Sequence, residues 1–269
     1  MKLAASNIAW KEQDDEVVYD LMKHYGFTGL EVAPTRFFPE APYSRLIPMQ
    51  NLAGRLREQG FCLPSMQSLL AGRPELRLFE GMEKRNALLA YLKQAVLFAE
   101  AGGIRNLVFG SPKNRISHDQ KDWLTAVDFF TNLADFASKH GCVIGMEPNP
   151  AIYGGNFVTS VEEAIRLCQE VSHPGFQLNL DMGCVIANGG LLNLTADQVG
   201  MISHVHVSEP MLAPLHPRQE LLTDLKRLLE AGGYEHFVSI EMSCPEQGDP
   251  VQNMENSLSL IAGIWNQTP

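Results

Sequence analysis

The feature that most constrains the fold of this chain is the alternation of short apolar runs with longer amphipathic segments along its whole length. Each run has the length of a buried strand, and each amphipathic segment repeats apolar residues at helical spacing. Such alternation is typical of a parallel sheet whose strands are connected by helices. Strands are predicted near residues 2–7, 27–32, 62–68, 104–110, 142–147, 176–181, 202–207 and 236–241.

Helices are predicted between these strands, near residues 14–24, 48–59, 82–101, 118–139, 159–171, 218–231 and 250–265, with a weaker pattern near 195–200. Two of them are expected to begin at capping boxes, Ser117 with Gln120 and Thr159 with Glu162. Eight strand–helix repeats in about 250 residues favour a (β/α)8 barrel over a doubly wound sheet. The first strand also ends in SNIAW and lacks the glycine-rich turn of doubly wound folds. Because no Pro/Ser-rich linker divides the chain, we predict a single TIM-barrel domain over residues 1–269.

Composition and charge exclude several classes of partner. The 269 residues are 45% hydrophobic, which is enough for a large core. A net charge of −10, from 31 acidic and 21 basic residues, makes nucleic acid and anionic membranes unfavourable partners. No apolar stretch approaches the roughly 20 residues of a membrane span.

The cysteines and the first residues predict a cytoplasmic location. The five cysteines show no CxxC spacing, and three of them fall in apolar strand or helix patterns, which predicts buried free thiols. The first apolar segment is short and is interrupted by Ser6 and Asn7, so it is unlike a signal peptide.

Four residues with metal-binding side chains end the last four predicted strands. They are Glu147, Asp181, His206 and Glu241, which close the runs VIGME, FQLNLD, ISHVH and FVSIE. The gaps between them are 34, 25 and 35 positions, about the length of one strand–helix unit. Since the C-terminal ends of barrel strands meet at one face, the four side chains are expected to converge on a mononuclear metal site.

Alternation along the strands supports the same site. Side chains on a strand point alternately to two faces, and each of the four residues lies at the last position of the less apolar, inward face. The alternative for any one of them is an isolated charge paired with a barrel Arg or Lys. Three carboxylates converging without a cation would repel each other strongly. A donor set of three carboxylates and one imidazole favours Mn²⁺ or Mg²⁺, with Co²⁺ and Zn²⁺ as alternatives.

Five further residues are candidates for substrate binding. Glu31 and Gln67 have inward parity at the ends of the second and third strands. Lys113 and Arg115 follow the fourth strand in the loop GSPKNR, where they could bind a phosphate or carboxylate. His204 lies one inward layer below the strand-seven ligand, where a histidine that supports that ligand or packs in the core is favoured over a direct contact. The alternatives for the others are a buried acid paired within the barrel for Glu31 and solvated loop charges for Lys113 and Arg115.

Taken together, these motifs resemble those of the sugar phosphate isomerase/epimerase family, the xylose isomerase-like TIM barrels. The most specific segments are IGMEPNP, NLDMG, HVHVSEP and SIEM, and the resemblance covers nearly the whole chain. It implies that Glu147, Asp181, His206 and Glu241 are the metal ligands. It also implies a homo-oligomer, because members of the family often form dimers or tetramers.

Two positions depart from the family pattern. Many epimerases of the family have a substrate-binding His three residues after the Asp ligand, and Cys184 stands there in this chain. An Arg often follows the His ligand by six positions, and Leu212 stands there. The metal site therefore carries over from the family more directly than the ketose-binding mode does.

The expected function is metal-dependent isomerisation or epimerisation of a small-molecule sugar or sugar phosphate in carbohydrate metabolism. The proton transfer would pass through a metal-stabilised enediolate, with Glu147 and Glu241 as the acid/base pair and the other two residues as ligands only. The alternatives are a dehydratase of a sugar or cyclitol ketone and a non-catalytic sugar-binding barrel. Phosphodiester cleavage is disfavoured, because the strand ends lack the additional histidines of multi-zinc endonucleases and the net charge is −10.

Overall fold

Eight parallel strands are hydrogen-bonded side by side in the order β2-β1-β8-β7-β6-β5-β4-β3. The computed structural model describes residues 1–190, 192 and 194–266. The strands are β1 Lys2–Ser6, β2 Gly29–Glu31, β3 Ser65–Met66, β4 Asn106–Phe109, β5 Val143–Met146, β6 Phe176–Asp181, β7 Ile202–Val207 and β8 Phe237–Ile240. Bridges from Gly29 to Cys62 and from Val32 to Met66 join the two ends of this order. The predicted (β/α)8 TIM barrel is confirmed.

Helices on the outside of the barrel connect the strands. They are α1 Asp15–His24, α2 Pro34–Phe37, α3 Leu46–Glu58, α4 Met82–Gly102, α5 Lys121–Lys139, α6 Val161–Val171, α7 Met182–Ala187, α8 Ala196–Val199, α9 Gln219–Ala231 and α10 Pro250–Trp265. The short helices α2 and α7 were not predicted, because four to six residues carry too little periodicity to be recognised. Within the described residues, no helix is both long and apolar enough to cross a membrane.

The two expected capping boxes are not formed as predicted. Helix α5 begins three residues later than expected, and the Asp122 carboxylate accepts hydrogen bonds from the backbone N–H of His118 and the Ser117 hydroxyl. In α6 the cap is shifted by one residue: Ser160 accepts from the backbone N–H of Glu163. A pattern of capping residues thus locates a helix start only to within a few positions.

Pairing between β2 and β3 is weaker than the predicted strands suggested. The ladder has bonds from Cys62 N to Thr28 O and from Leu30 N to Cys62 O. The next donor in the ladder would be residue 64, which is a proline and has no N–H. Pairing resumes with Val32 N bonding to Ser65 O, after a change of register. This explains why β3 is reduced to two residues.

The interior of the barrel contains a polar layer directly below its C-terminal face. Asn106 on β4 donates to the Ser65 hydroxyl on β3 over 3.0 Å, and Asn179 on β6 approaches the same amide at 3.5 Å. Gly145 on β5 leaves room for these groups, since a Cβ there would lie 2.8 Å from Asn106 Oδ1 and 3.1 Å from Ser203 Oγ. These contacts show that Gly145 and Asn179 face the lumen, as do Glu147 and Asp181 two positions further along the same strands.

We expect Gly145→Ala to destabilise the barrel. The added Cβ would overlap the Asn106 amide, and such overpacking typically costs about 1–3 kcal/mol of unfolding free energy. Gly54→Ala is the matched control, because Gly54 lies in α3 with no atom within 4 Å of the added Cβ. There, the better helix propensity of alanine should stabilise the chain by about 0.5–1 kcal/mol. Urea unfolding of both variants tests this, and equal stabilities would contradict the tight fit around Gly145.

Candidate metal centre

Four side chains converge at the C-terminal end of the barrel. Glu147, Asp181, His206 and Glu241 each offer one potential ligand atom, and these atoms all lie within 4.8 Å of one another. All four residues are buried. They come from the ends of β5, β6, β7 and β8, which are neighbours in the sheet. The structure therefore brings together the four residues that the strand spacing singled out.

The register of the strands explains why these side chains meet. Asp181 pairs directly with His206 across β6 and β7, and His206 pairs with Ser239 across β7 and β8. Glu147 directly follows β5, and its N–H bonds to Phe109 O on β4. Glu241 directly follows β8, and its N–H bonds to Val207 O on β7. The backbone ladder thus continues to the residues that carry the carboxylates.

His206 presents its two ring nitrogens to different partners. Its Nδ1 lies 2.8 Å from Glu147 Oε1 and 3.2 Å from Glu241 Oε2. Its Nε2 lies 3.0 Å from Glu31 Oε1, on the side away from the carboxylates at the strand ends. A hydrogen bond from Nε2–H to Glu31 leaves Nδ1 as the nitrogen that can bind a metal, which is the usual arrangement of a carboxylate behind a histidine ligand.

The charges in this cluster shift each other's protonation. Burial, with repulsion from Glu147 and Glu241, raises the pKa of Asp181 to about 7. Burial also raises the pKa of Glu241. Burial alone would lower the pKa of His206, but the attraction of Glu241 and Glu31 raises it well above its ordinary value. The cluster therefore takes up protons to limit its negative charge.

The donor set fits a divalent metal ion. A cation among Glu147, Asp181 and Glu241 would neutralise the repulsion that otherwise drives proton uptake, because metal ligands bind in their deprotonated form. Three carboxylates and one imidazole are oxygen-rich, hard donors of the kind that hold divalent cations. These acidic and histidine groups could thus bind a divalent metal.

Polar neighbours fix the carboxylate of Glu147. Asn179 donates to Oε1 over 3.0 Å, and Asn149 donates to Oε2 over 3.2 Å. Glu147 also depends on Gly110, since a Cβ at that position would lie 2.0 Å from Oε2. Neither asparagine was predicted from the sequence as a site residue. Asn179 could have been found, because it is inward-facing and two residues before Asp181, whereas Asn149 lies in a loop without periodicity.

Asp181 is held by groups from two segments. It is the N-cap residue of α7, where its Oδ1 accepts from the backbone N–H of Cys184 over 2.6 Å. Its Oδ2 accepts a hydrogen bond from the Ser208 hydroxyl. The Cys184 thiol is buried and lies 3.7 Å from Thr159 O. The position of the family's substrate-binding histidine is thus filled by a small side chain directed into the protein.

A cavity of about 440 Å³ lies above the carboxylates. Glu147, Asp181 and Glu241 line it, together with two of the predicted substrate contacts, Gln67 and Lys113. The rest of the wall includes several polar and apolar side chains, among them Ser111, Asn149, Tyr153, Ile8, Leu70 and Leu212. The cavity is large enough for a small polar ligand next to the four converging residues.

Three predicted substrate contacts lie elsewhere. Glu31 is fully buried behind His206, where it also accepts from the Ser239 hydroxyl over 2.8 Å. His204 is buried with its Nε2 3.5 Å from Glu31 Oε1. Arg115 is fully buried below the loop surface and binds backbone carbonyls. None of the three lines the cavity. Parity along a strand does not determine how deep Glu31 lies, and Arg115 turns from its loop toward buried backbone acceptors.

Comparison with known proteins identifies the family of this chain. The sequence profile of the xylose isomerase-like TIM barrel family matches residues 19–263. The chain belongs to this xylose isomerase-like family. The family resemblance inferred from the motifs is thereby confirmed. None of the proteins with curated functions matches the chain in sequence.

Several solved structures share the fold of this family member. One is the 3-keto-D-glucoside 4-epimerase YcjR from E. coli, with 18% identity and a TM-score of 0.76 over 98% of this chain and 99% of that chain. Another is D-psicose 3-epimerase from Clostridium cellulolyticum H10, with 15% identity and a TM-score of 0.75 over 99% and 97%. The IolI protein with a binding zinc atom has 16% identity and a TM-score of 0.71 over 99% and 100%. At these identities the similarity shows the common fold.

We expect metal ions to stabilise the folded chain through the four converging residues. After treatment with EDTA, added Mn²⁺ should raise the melting temperature, and metal at about 100 times its dissociation constant contributes about 2.7 kcal/mol. Asp181→Asn should remove most of this shift because one donor and one charge are lost. The metal-free variant should melt higher than the metal-free wild type, since one of three repelling carboxylates is gone.

Glu209→Gln provides the matched control for this melting experiment. Glu209 is a buried carboxylate three residues after His206, but it forms an ion pair with Arg218 at 2.7 Å and is not part of the converging group. The variant should lose stability and keep the shift caused by Mn²⁺. Equal shifts in the Asp181 variant and the wild type would contradict the metal site.

Proposed function

We propose that the chain is a divalent-metal-dependent sugar isomerase or epimerase. One observation carries this proposal. The Glu147 and Glu241 carboxylates lie 2.8 Å and 3.2 Å from the same nitrogen of His206, Nδ1, at the floor of an open cavity. Similar folds support the reaction class, since they include a 3-keto-D-glucoside 4-epimerase, a D-psicose 3-epimerase and an L-ribulose 3-epimerase.

The ligands of the metal would be Glu147, Asp181, His206 and Glu241. When bound, a divalent cation would act as a Lewis acid and stabilise the negative charge that develops when a proton next to a carbonyl is removed. The hard donor set favours Mn²⁺ or Mg²⁺, and the zinc atom of the IolI protein makes Zn²⁺ a further candidate.

The residues of the chain would divide the proton transfer between two sides of the substrate. Glu147 and Glu241 come from β5 and β8 and flank His206, so one carboxylate removes a proton and the other returns it. Return to the opposite face of the same carbon gives an epimer, and return to the neighbouring carbon gives an aldose–ketose pair. General acid–base catalysis of this kind contributes about 10²–10⁴-fold to a rate.

The remaining polar groups would orient the substrate and the base. Asn179 donates to Glu147 Oε1 and limits its rotation. Gln67 and Lys113 line the cavity and would contact substrate hydroxyl or anionic groups. Leu212 lines the wall at the position where family epimerases often have an arginine. This chain would therefore share the reaction class of those epimerases without their ketose-binding mode.

We expect Glu147→Gln and Glu241→Gln each to abolish exchange of a substrate C–H proton with solvent. Glutamine keeps the size of the side chain but cannot accept the proton. Ketoses, aldoses and their phosphates would be incubated with the Mn²⁺-loaded protein in deuterated water, and exchange followed by NMR. The label identifies both the substrate and the carbon from which the proton is removed.

Glu209→Gln serves as the control in this assay and should keep exchange close to that of the wild type. Normal exchange in either active-site variant would remove that glutamate from the acid/base pair. Loss of water from the labelled substrate would indicate a dehydratase. The absence of exchange with every sugar, in protein that binds Mn²⁺, would favour a non-catalytic sugar-binding barrel.

A further inference from the structure

A buried cation next to the carboxylate site lacks an acidic partner. Arg115 is one of the largest fully buried side chains, and no carboxylate in the described part of the chain lies within 4.0 Å of its guanidinium nitrogens. A buried charge without an ion-pair partner is costly unless its hydrogen bonds are fully satisfied. Arg115 can therefore be accommodated in this position only through its hydrogen bonds.

All five N–H groups of the guanidinium have an acceptor. Their partners are Phe109 O at 2.9 Å, Met146 Sδ at 3.6 Å, Glu147 O at 2.7 Å, Asn149 Oδ1 at 2.7 Å and Phe157 O at 3.2 Å. These groups belong to the end of β4, the end of β5 and the loop that follows β5. Arg115 thus ties together the segments that carry Glu147.

The bond to Asn149 determines which way its amide points. Arg115 can only donate, so Asn149 must present its Oδ1 to the guanidinium. Its Nδ2 is then turned toward Glu147 Oε2, to which it donates over 3.2 Å. With the amide reversed, two oxygens would face each other at Glu147, and two donors would face each other at Arg115.

We infer that Arg115 is a positioning residue for Glu147, acting through the amide of Asn149. The inference rests on the proposed function, in which Glu147 is both a metal ligand and a base. Asn149 is the one side-chain donor to Oε2 among the described residues, whereas Oε1 is held by Asn179 and His206. Without the fixed amide, Glu147 could rotate about its last bond and lose the orientation that directs Oε1 into the cluster.

Arg115→Lys and Asn149→Ala test this chain of contacts. Lysine keeps the positive charge but cannot bridge the five acceptors, so the comparison isolates geometry from charge. The dissociation constant for Mn²⁺, measured by titration calorimetry without substrate, should rise about 10- to 100-fold in each variant. The double variant should bind Mn²⁺ no more weakly than the weaker single variant, because both changes break the same link.

Arg105→Lys is the matched control at the opposite end of the barrel. Arg105 is half-buried and lies 3.4 Å from Ser203 O and 3.3 Å from Gln177 Oε1, near the N-terminal ends of β6 and β7. The control variant should melt at a lower temperature and keep the wild-type affinity for Mn²⁺. A role of Arg115 in stability alone would give its lysine variant the same result.

The outcomes separate this inference from the proposed function. Unchanged Mn²⁺ affinity in Asn149→Ala overturns the inference, even if the Arg115 variant does not fold. Additive losses in the double variant also overturn it, because the two residues would then act separately. A wild-type chain that binds no Mn²⁺ overturns the proposed function and this inference together, whereas binding by the wild type with unchanged variants overturns only the inference.

Discussion

The repulsion among three buried carboxylates is the constraint on which the C-terminal half of the barrel depends. The backbone ladder puts Glu147, Asp181 and Glu241 at neighbouring strand ends, and their carboxylate oxygens lie within 4.8 Å of one another. The surrounding residues donate hydrogen bonds to the carboxylate oxygens. His206 lies between the acids. Asn179 donates to Glu147, and the Ser208 hydroxyl and the backbone N–H of Cys184 donate to Asp181.

A second layer of polar residues lies behind the four converging side chains and determines the orientation of His206 and Glu147. Glu31 binds His206 Nε2, so that Nδ1 faces the acids. The pKa of Glu31 is held well below its ordinary value, because the two histidines outweigh the effect of its burial. Arg115 plays the corresponding part for Glu147 through neutral acceptors. Supporting groups of this kind are what give a metal site or an acid/base pair a defined geometry.

The sequence predicted the fold and the four converging residues because both follow from regular repeats. The period of two along each strand and the gaps of 34, 25 and 35 residues locate side chains on one face at one end of the barrel. Depth is different. Glu31 has the predicted inward parity but is fully buried behind His206, and His204 lies beside it in the layer that the sequence predicted. Arg115 returns from its loop into the core, which depends on acceptors brought together only by folding.

The loop after β7 contains two residues in an uncommon backbone conformation. Met211 and Leu212 have left-handed backbone angles, with φ of 62° and 54°, that are uncommon for residues other than glycine. The Met211 N–H donates to the Tyr153 hydroxyl oxygen, and the N–H and hydroxyl of Ser243 both donate to Leu212 O. Asn179 on β6 contacts both the Glu147 carboxylate and the Asn106 amide in the lumen. A substitution there would disturb the site and the interior of the barrel together. Leu212 forms part of the cavity wall from this turn and not from a strand, so a substitution there would reshape the wall without removing any of the four converging side chains.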